Sequence, residues 1–432
     1  MPSPLARRPT LGKHSFMNRS LALASLLALT PALAFALPKA DPANGDITLP
    51  DGFAAAVVAD NLGPLRFITV SPAGDVFVKT RRSGIIALRD TDGDGRADER
   101  REFASGGGTG IAWRDGWLYH STNDDIFRYA LPGGALEPAA EAELIVKGLP
   151  NKNQHSAKSI AFDGEGRLYV DVGAPSNAGG DPDRVPNAKG VRPSPWLERH
   201  AGIWRFDAAK PAQDQVRDGQ RFSTGSRHIL AINWNPVSRA MFVVMMGRDQ
   251  LNTVAPQFFD EKLNAELPAE EMHRLDEGAN LGWPYTYWDP FKKARFLAPE
   301  YGGDGTKQPD EKYSKPLIAF PAHWAPMQLV FNRGGNFPER YHNGAFIAFH
   351  GSWNRAPEPQ KGYKVVFIPF GPDGMPTGEY ETFADGFAGA AEIKGPGDAR
   401  FRPCGVAFGP EGSLYVSDSQ KGRVWRIFHT GK

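Results

Sequence analysis

Several histidines and arginines in this 432-residue chain stand next to short apolar runs. His155 leads into "SIAF", Arg66 into "FITV", Arg227-His228 into "ILAINW" and Arg402 into "PCGVAF", with Arg400 two residues earlier. His323 lies in "PAHWAPMQLVF" and His350 ends "FIAFH". A neutral imidazole suits a general base near neutral pH. Several guanidinium groups around one cavity suit a polyanionic ligand, because their planar forks pair with carboxylates bidentately. Singly, each is an ordinary loop or surface residue. Chemistry needs a fold that makes them converge.

The elements that could do so are repeated. A short apolar strand, a turn of the type "PxG" or "DGxG", a strand rich in Tyr and Val, and a further strand recur six times, at 67–90, 110–131, 159–207, 230–278, 329–370 and 405–428. Turns such as Asp163-Gly164-Glu165-Gly166 fit tight connections, since Gly reaches positive φ freely and Asp caps turns. Each unit makes a small antiparallel sheet that cannot bury both faces alone, and radial packing in a closed ring buries them. The spacing therefore predicts an all-β, six-bladed propeller with antiparallel four-stranded blades and long loop insertions. "GFAAAVVADNL" (52–62) is free to supply the outer strand of the last blade and close the ring. Helix signals are nearly absent, apart from 260–271. Insertions at about 174–200, 254–270 and 284–316 fall on inter-strand loops, where a rigid scaffold usually carries function. In such a ring, equivalent strand ends point at one axial region.

Composition bounds the rest. Net charge is +1, which argues against nucleic acid as a partner. The 48 glycines and 37 prolines sit in regular turn positions and fit many short strands. One cysteine, Cys404, excludes an internal disulfide framework and a Cys-based zinc site. Arg7, Arg8, Lys13 and Arg19 followed by "SLALASLLALTPALAFA" read as a signal peptide over 1–36, with 37–51 as a linker and 52–430 as the propeller. The expectation is an exported protein, periplasmic or secreted, without a membrane span in the mature chain. "DTDGDGRADE" places Asp90, Asp92 and Asp94 at positions one, three and five of a calcium loop with Gly95 at six, but Arg101 stands where the bidentate Glu belongs. A solvated hairpin turn is the competing reading.

"RDTDGDGRADE", "NLGWPYTYW", "HGSWNRAPEPQKGYKVVFIPF" and "RPCGVAFGPEGSLYVSD" resemble the soluble glucose/sorbosone dehydrogenase family, over about residues 50 to 430. Those proteins are six-bladed propellers that use pyrroloquinoline quinone (PQQ). "HGSWNR…GYKVV" points to the sorbosone and pyranose dehydrogenase branch. The resemblance implies that His155 is the general base, taking the sugar's C1 hydroxyl proton as hydride leaves C1. It implies that Arg227 stands beside the quinone's reactive oxygens, that Arg402 and Arg400 hold its carboxylates, and that Arg66 lies over it. His228, His350, Trp353, Asn354, Arg355 and Lys364 follow as cofactor contacts. Calcium is implied as a second cofactor, held by the backbone carbonyls of Gly247 and Arg248. Where relatives commonly read Arg-Asn-Pro, this chain has Arg227-His228-Ile229. "MMGRDQL" likewise lacks the Glu and Gly of the branch's "ERDELG".

The expected function is oxidation of an aldose or sorbosone-like sugar at C1, with electrons passed to a partner such as a periplasmic cytochrome. The alternatives are a calcium-dependent, lactonase-like propeller hydrolase, which needs converging oxygen ligands, and a non-catalytic binding propeller, which needs no cation cluster.

Overall fold

The strand that completes the last blade comes from the beginning of the described chain. Phe53–Ala59 pairs antiparallel with Val424–His429, from Phe53 opposite His429 to Ala59 opposite Val424. The sheet runs from this outer strand through Val424–His429 and Leu414–Asp418 to the inner strand Pro403–Phe408. N-terminal and C-terminal sequences thus share one sheet and close the ring, which leaves only short blade edges. The computed structural model describes Met1 and residues 37–151 and 154–431. The expected signal peptide therefore lies, Met1 aside, outside the described residues.

The other five blades follow in chain order. Blade 1 is Leu65–Val70, Val76–Thr80, Ile85–Arg89 and Glu99–Phe103. Blade 2 is Ile111–Arg114, Trp117–Ser121, Ile126–Ala130 and Glu143–Lys147, with Gln213–Asp214 added in parallel at its rim. Blade 3 is Ile160–Phe162, Arg167–Val172, Gly202–Asp207 and Gln220–Arg221. Blade 4 is Ile229–Asn235, Ala240–Met245, Glu270–Leu275 and Ile318–Phe320. Blade 5 is Pro326–Phe331, Ala345–Phe349, Lys364–Ile368 and Glu381–Ala384. The six repeats read from the sequence are the six blades.

Apolar side chains from neighbouring sheets form the core between blades. Phe53 meets Phe337, Tyr341 and Phe383 at ring-centroid distances of 4.8, 5.3 and 5.1 Å, all edge-on. Trp425 is fully buried and donates its indole N–H to the Gly45 carbonyl at 2.9 Å. The segment expected as a linker is therefore bound to the ring: Ile47 is buried, and Thr48 and Asp385 form a β-bridge. Along the central axis Gln328 joins three inner strands. Its carbonyl accepts Ile68 N–H at 3.0 Å and Val406 N–H at 3.1 Å, and its amide donates to Ile68 O at 2.9 Å. Such contacts satisfy inner-strand groups that have no neighbouring strand.

Register shifts interrupt four inner strands near their first residues, between Leu65 and Ile68, Ile229 and Ala231, Pro326 and Leu329, and Pro403 and Gly405. A bulge re-aims side chains and bends its strand. All four lie at the end of the ring where the candidate residues stand. The insertions that join the second and third strands of blades 3 and 4 leave from the same end. Residues 246–269 carry two short helices, of which Glu261–Glu266 is capped by the Asp260 carboxylate on Leu263 N–H at 2.7 Å. Among the described residues no helix is long and apolar enough to cross a membrane.

Candidate active site

Two groups of side chains stand at the same end of the ring. One belongs to blades 3 and 4, the other to blades 5, 6 and 1.

In the first group His155 precedes blade 3 with φ +54, a conformation uncommon for a non-glycine residue. Its Nδ1–H donates to the Ala174 carbonyl at 2.6 Å, which leaves Nε2 as the basic nitrogen. His228 lies beside it, ring centroids 5.0 Å apart. The close fit requires Gly173. A Cβ there would come within 2.7 Å of His155 Cβ and 2.9 Å of His228 Nδ1. Burial, and then the charge on Arg227, push His155 well below the ordinary imidazole range, so it is neutral and proton-accepting at neutral pH.

Arg227 is buried and fully engaged. It donates to Asn177 O at 3.2 Å, Gly247 O at 2.9 Å and the Asp249 carboxylate at 2.6 Å. Asp249 also pairs with Arg184 at 3.2 Å and lies 3.6 Å from His323 Nδ1. Despite burial, which opposes ionisation, this cationic surround holds its carboxyl far below the usual range. Glu270, behind it, accepts Gly247 N–H at 2.7 Å and Ala325 N–H at 3.0 Å, and burial pushes its carboxyl up to about 7.

In the second group Arg402 donates to His350 O at 3.0 Å, His350 Nδ1 at 2.8 Å and Gly351 O at 2.7 Å. His350 then donates Nε2–H to Ser419 Oγ at 2.6 Å, so neither ring nitrogen is left to act as a base. Burial, and then Arg402, Arg66 and Arg81, hold His350 well below the imidazole range. Arg66 is half-buried, Arg81 is exposed, and their mutual repulsion depresses Arg81. Among the described residues Arg66, Arg81 and Arg402 have no carboxylate partner. Sequence reasoning missed Arg81, although "KTRR" at the end of a blade strand was a visible signal. It missed Lys79 and Lys158 as well. Both are fully buried lysines that burial lowers to about 8, and neither is in an ion pair.

Other expected site residues are placed elsewhere. Arg355 is buried against Glu266 at 2.5 Å and Pro359 O at 2.9 Å, as its loop turns away from the axis and packs on the helix of residues 261–266. Asn354 accepts from Asn264 through its backbone, and Trp353 is 54% exposed. Lys364 pairs with Asp385 at 2.8 Å, and Arg400 with Asp46 at 3.1 Å. Each of these cations already has a carboxylate, so none joins the unpaired group. Arg248 forms a buried pair with Glu300 at 2.5 Å.

The groups expected to hold calcium are partly engaged by the protein itself. The Gly247 carbonyl receives a guanidinium N–H, and the nearby Asp249 carboxylate is taken up by cations. In the surface loop, Asp90 caps Gly93 N–H at 2.7 Å and Gly95 N–H at 2.9 Å, while Asp94 caps Arg96 N–H at 2.7 Å. The carboxylates that gather there are those of Asp90, Asp92 and Asp98 rather than Asp94. Asp90 and Asp92 thus cap the turn's own N–H groups and, with Asp98, form a group close enough to hold a cation.

A quinone bearing carboxylates fits the second group better. It presents half-buried and exposed guanidinium groups without anions, the donor set that a multiply charged carboxylate compound requires. A cavity of about 380 Å³ on the outer rim, lined by Pro50, Tyr341 and Glu381 among others, contains none of these residues.

The model of the TrAA12-like family matches residues 47–430. The chain belongs to the TrAA12-like family. An uncharacterized protein of Borreliella burgdorferi is 23% identical over 96% of this chain and 99% of its own length. A pyrroloquinoline quinone-dependent pyranose dehydrogenase of Coprinopsis cinerea is 30% identical over 38% of this chain and 25% of that protein. Among solved structures, an AA12 enzyme of Trichoderma reesei superposes with TM-score 0.72 at 19% identity, covering 89% of this chain and 98% of that one. The PQQ domain of the Coprinopsis cinerea pyranose dehydrogenase in its holo form gives 0.69 at 19% identity, covering 88% and 97%. Both share the propeller fold with this TrAA12-like chain.

Proposed function

We propose that the protein is a PQQ-dependent sugar dehydrogenase that oxidises an aldose or sorbosone-like sugar at C1. The observation that carries the reading is the presence of two unlike groups at the same end of a TrAA12-like ring. One is a set of arginines with no carboxylate partner, and the other holds a neutral histidine whose Nε2 is free. Arg66 and Arg402 would bind the carboxylates of the quinone, and the buried Arg227, held rigid by Asp249, would lend positive charge to the site. When bound, the quinone supplies a two-electron acceptor for hydride. His155 Nε2 removes the hydroxyl proton of the sugar, and the Ala174 carbonyl keeps that nitrogen unprotonated and oriented. The electrons leave to an acceptor such as a periplasmic cytochrome, in keeping with the signal-peptide reading of residues 1–36. A lactonase-like site would need several free oxygens on the axis, whereas the carboxylates here are already paired.

Binding of PQQ to the purified protein, followed by its absorbance, tests the cofactor assignment. The expected result is micromolar or tighter binding that weakens at least a hundredfold in the Arg66→Gln/Arg402→Gln variant. Equal binding by both proteins would refute it.

A further inference from the structure

The histidine next to His155 is built as a base in its own right. His228 Nδ1 lies 3.0 Å from Asp171 Oδ2, and the same oxygen accepts Ile229 N–H at 3.2 Å, so the imidazole donates and the carboxylate receives. Asp171 is completely buried at the end of blade 3's second strand, and its Oδ1 has no partner. Among the described residues His228 Nε2 has no hydrogen-bond partner. Of the other histidines near this mouth, His200 donates to Gly173 O at 3.2 Å, and His323 and His350 have Nε2 committed to Asn264 O at 2.8 Å and Ser419 Oγ at 2.6 Å. Among His155, His228, His323 and His350, the first two have an Nε2 without a hydrogen bond to a described residue, and of those two His228 is backed by a carboxylate.

We propose that His228 and Asp171 form a proton relay behind His155, so that the proton taken from the sugar hydroxyl comes to rest on His228. This rests on the dehydrogenase reading above. The hydroxyl O–H bond breaks as His155 Nε2–H forms. That N–H bond then breaks as His228 Nε2–H forms, on a ring whose centroid lies 5.0 Å from that of His155. The resulting imidazolium lies against the Asp171 carboxylate. The relay answers a difficulty at His155. An imidazole whose charged form is disfavoured by burial and by Arg227 is a poor place for a proton to remain. The groups facing the dyad are His155 from the preceding loop, Arg227 beside it in sequence, and Lys158, which acts electrostatically on Asp171. Burial raises Asp171 above the usual carboxylate range and so makes it a willing proton partner.

The test combines cofactor-free and loaded protein. Imidazole ¹⁵N resonances are titrated in the cofactor-free wild type and in Asp171→Asn, and kcat, KM and the pH profile of kcat are measured after loading with PQQ. The Asn side chain still accepts the Ile229 N–H. The expected result is a lower titration midpoint for His228 and a kcat at least tenfold lower with KM within twofold. His228→Gln should lower kcat to the same extent, and its combination with Asp171→Asn no further. Unchanged kcat and pH profile in both single variants, or a loss of kcat without movement of the His228 midpoint, would overturn the relay. A wild type that binds no PQQ and turns over no sugar would instead refute the dehydrogenase reading.

Discussion

The Asp249 carboxylate lies 2.6 Å from the Arg227 guanidinium, and both groups are withdrawn from solvent at the foot of the candidate site. The pair is the centre of a network that also takes in Arg184 and the backbone of Asn177 and Gly247. Removing one partner of a buried ion pair leaves an uncompensated charge, at a cost of about 3–5 kcal/mol. Asp249→Asn should therefore lower stability by roughly that amount. Chemical denaturation of the cofactor-free protein measures it, and a change below about 1 kcal/mol would show that the network is dispensable.

His155→Ala should leave PQQ binding within threefold of wild type and reduce kcat by about 10²–10⁴, the usual contribution of a positioned base. Single-turnover reduction of the bound cofactor by sugar reads the effect. Retained turnover with bound cofactor would remove His155 from the mechanism.

Lys79 links pH to stability. It is fully buried, donates to Gly106 O at 3.1 Å and His120 Nδ1 at 3.2 Å, and is lowered by burial from 10.5 to about 8. A base whose folded value lies below its unfolded value binds fewer protons when folded, so its contribution to stability rises as pH rises through this window. The penalty is full below pH 8 and absent above 10.5. After allowance for two lost hydrogen bonds, Lys79→Met should gain about 2 kcal/mol at pH 7. The gain should disappear above pH 10.5, as thermal or urea unfolding at the two pH values would show.

How far the molecule could be read from its sequence follows the range of the interactions. The blades were legible because a strand pair and its turn are written within about 20 residues, as in "SIAFDGEGRLYV". Ring closure by Phe53–Ala59 was legible as well, since a leftover strand has one place to go. Convergence of His155, Arg227, Arg66 and Arg402 on one mouth followed from their places at blade ends. The partners that remove Arg355, Lys364, Arg400 and Arg248 from the site were not legible. Glu266, Asp385, Asp46 and Glu300 are brought to them by loop packing rather than by local pattern. Asp171 was hidden for a different reason: inside "LYVDVG" it reads as one polar residue in a strand, and only the third dimension sets it on His228.

Phe53 tests the closing strand. Its ring meets three aromatic rings of blade 5, Phe383 on the outer strand and Phe337 and Tyr341 between the first two strands, within 5.3 Å between centroids. Phe53→Ala should cost about 3–5 kcal/mol, as for other buried aromatic truncations. A loss below about 1 kcal/mol would mean that the strand is not needed to hold the ring.

The most direct test of the central claim is anaerobic mixing of the PQQ-loaded protein with glucose, sorbosone and a small panel of aldoses, following the absorbance of the oxidised cofactor. The account predicts sugar-dependent bleaching by at least one member of the panel, and recovery when an electron acceptor is added. Bound cofactor that no sugar in the panel bleaches would contradict it.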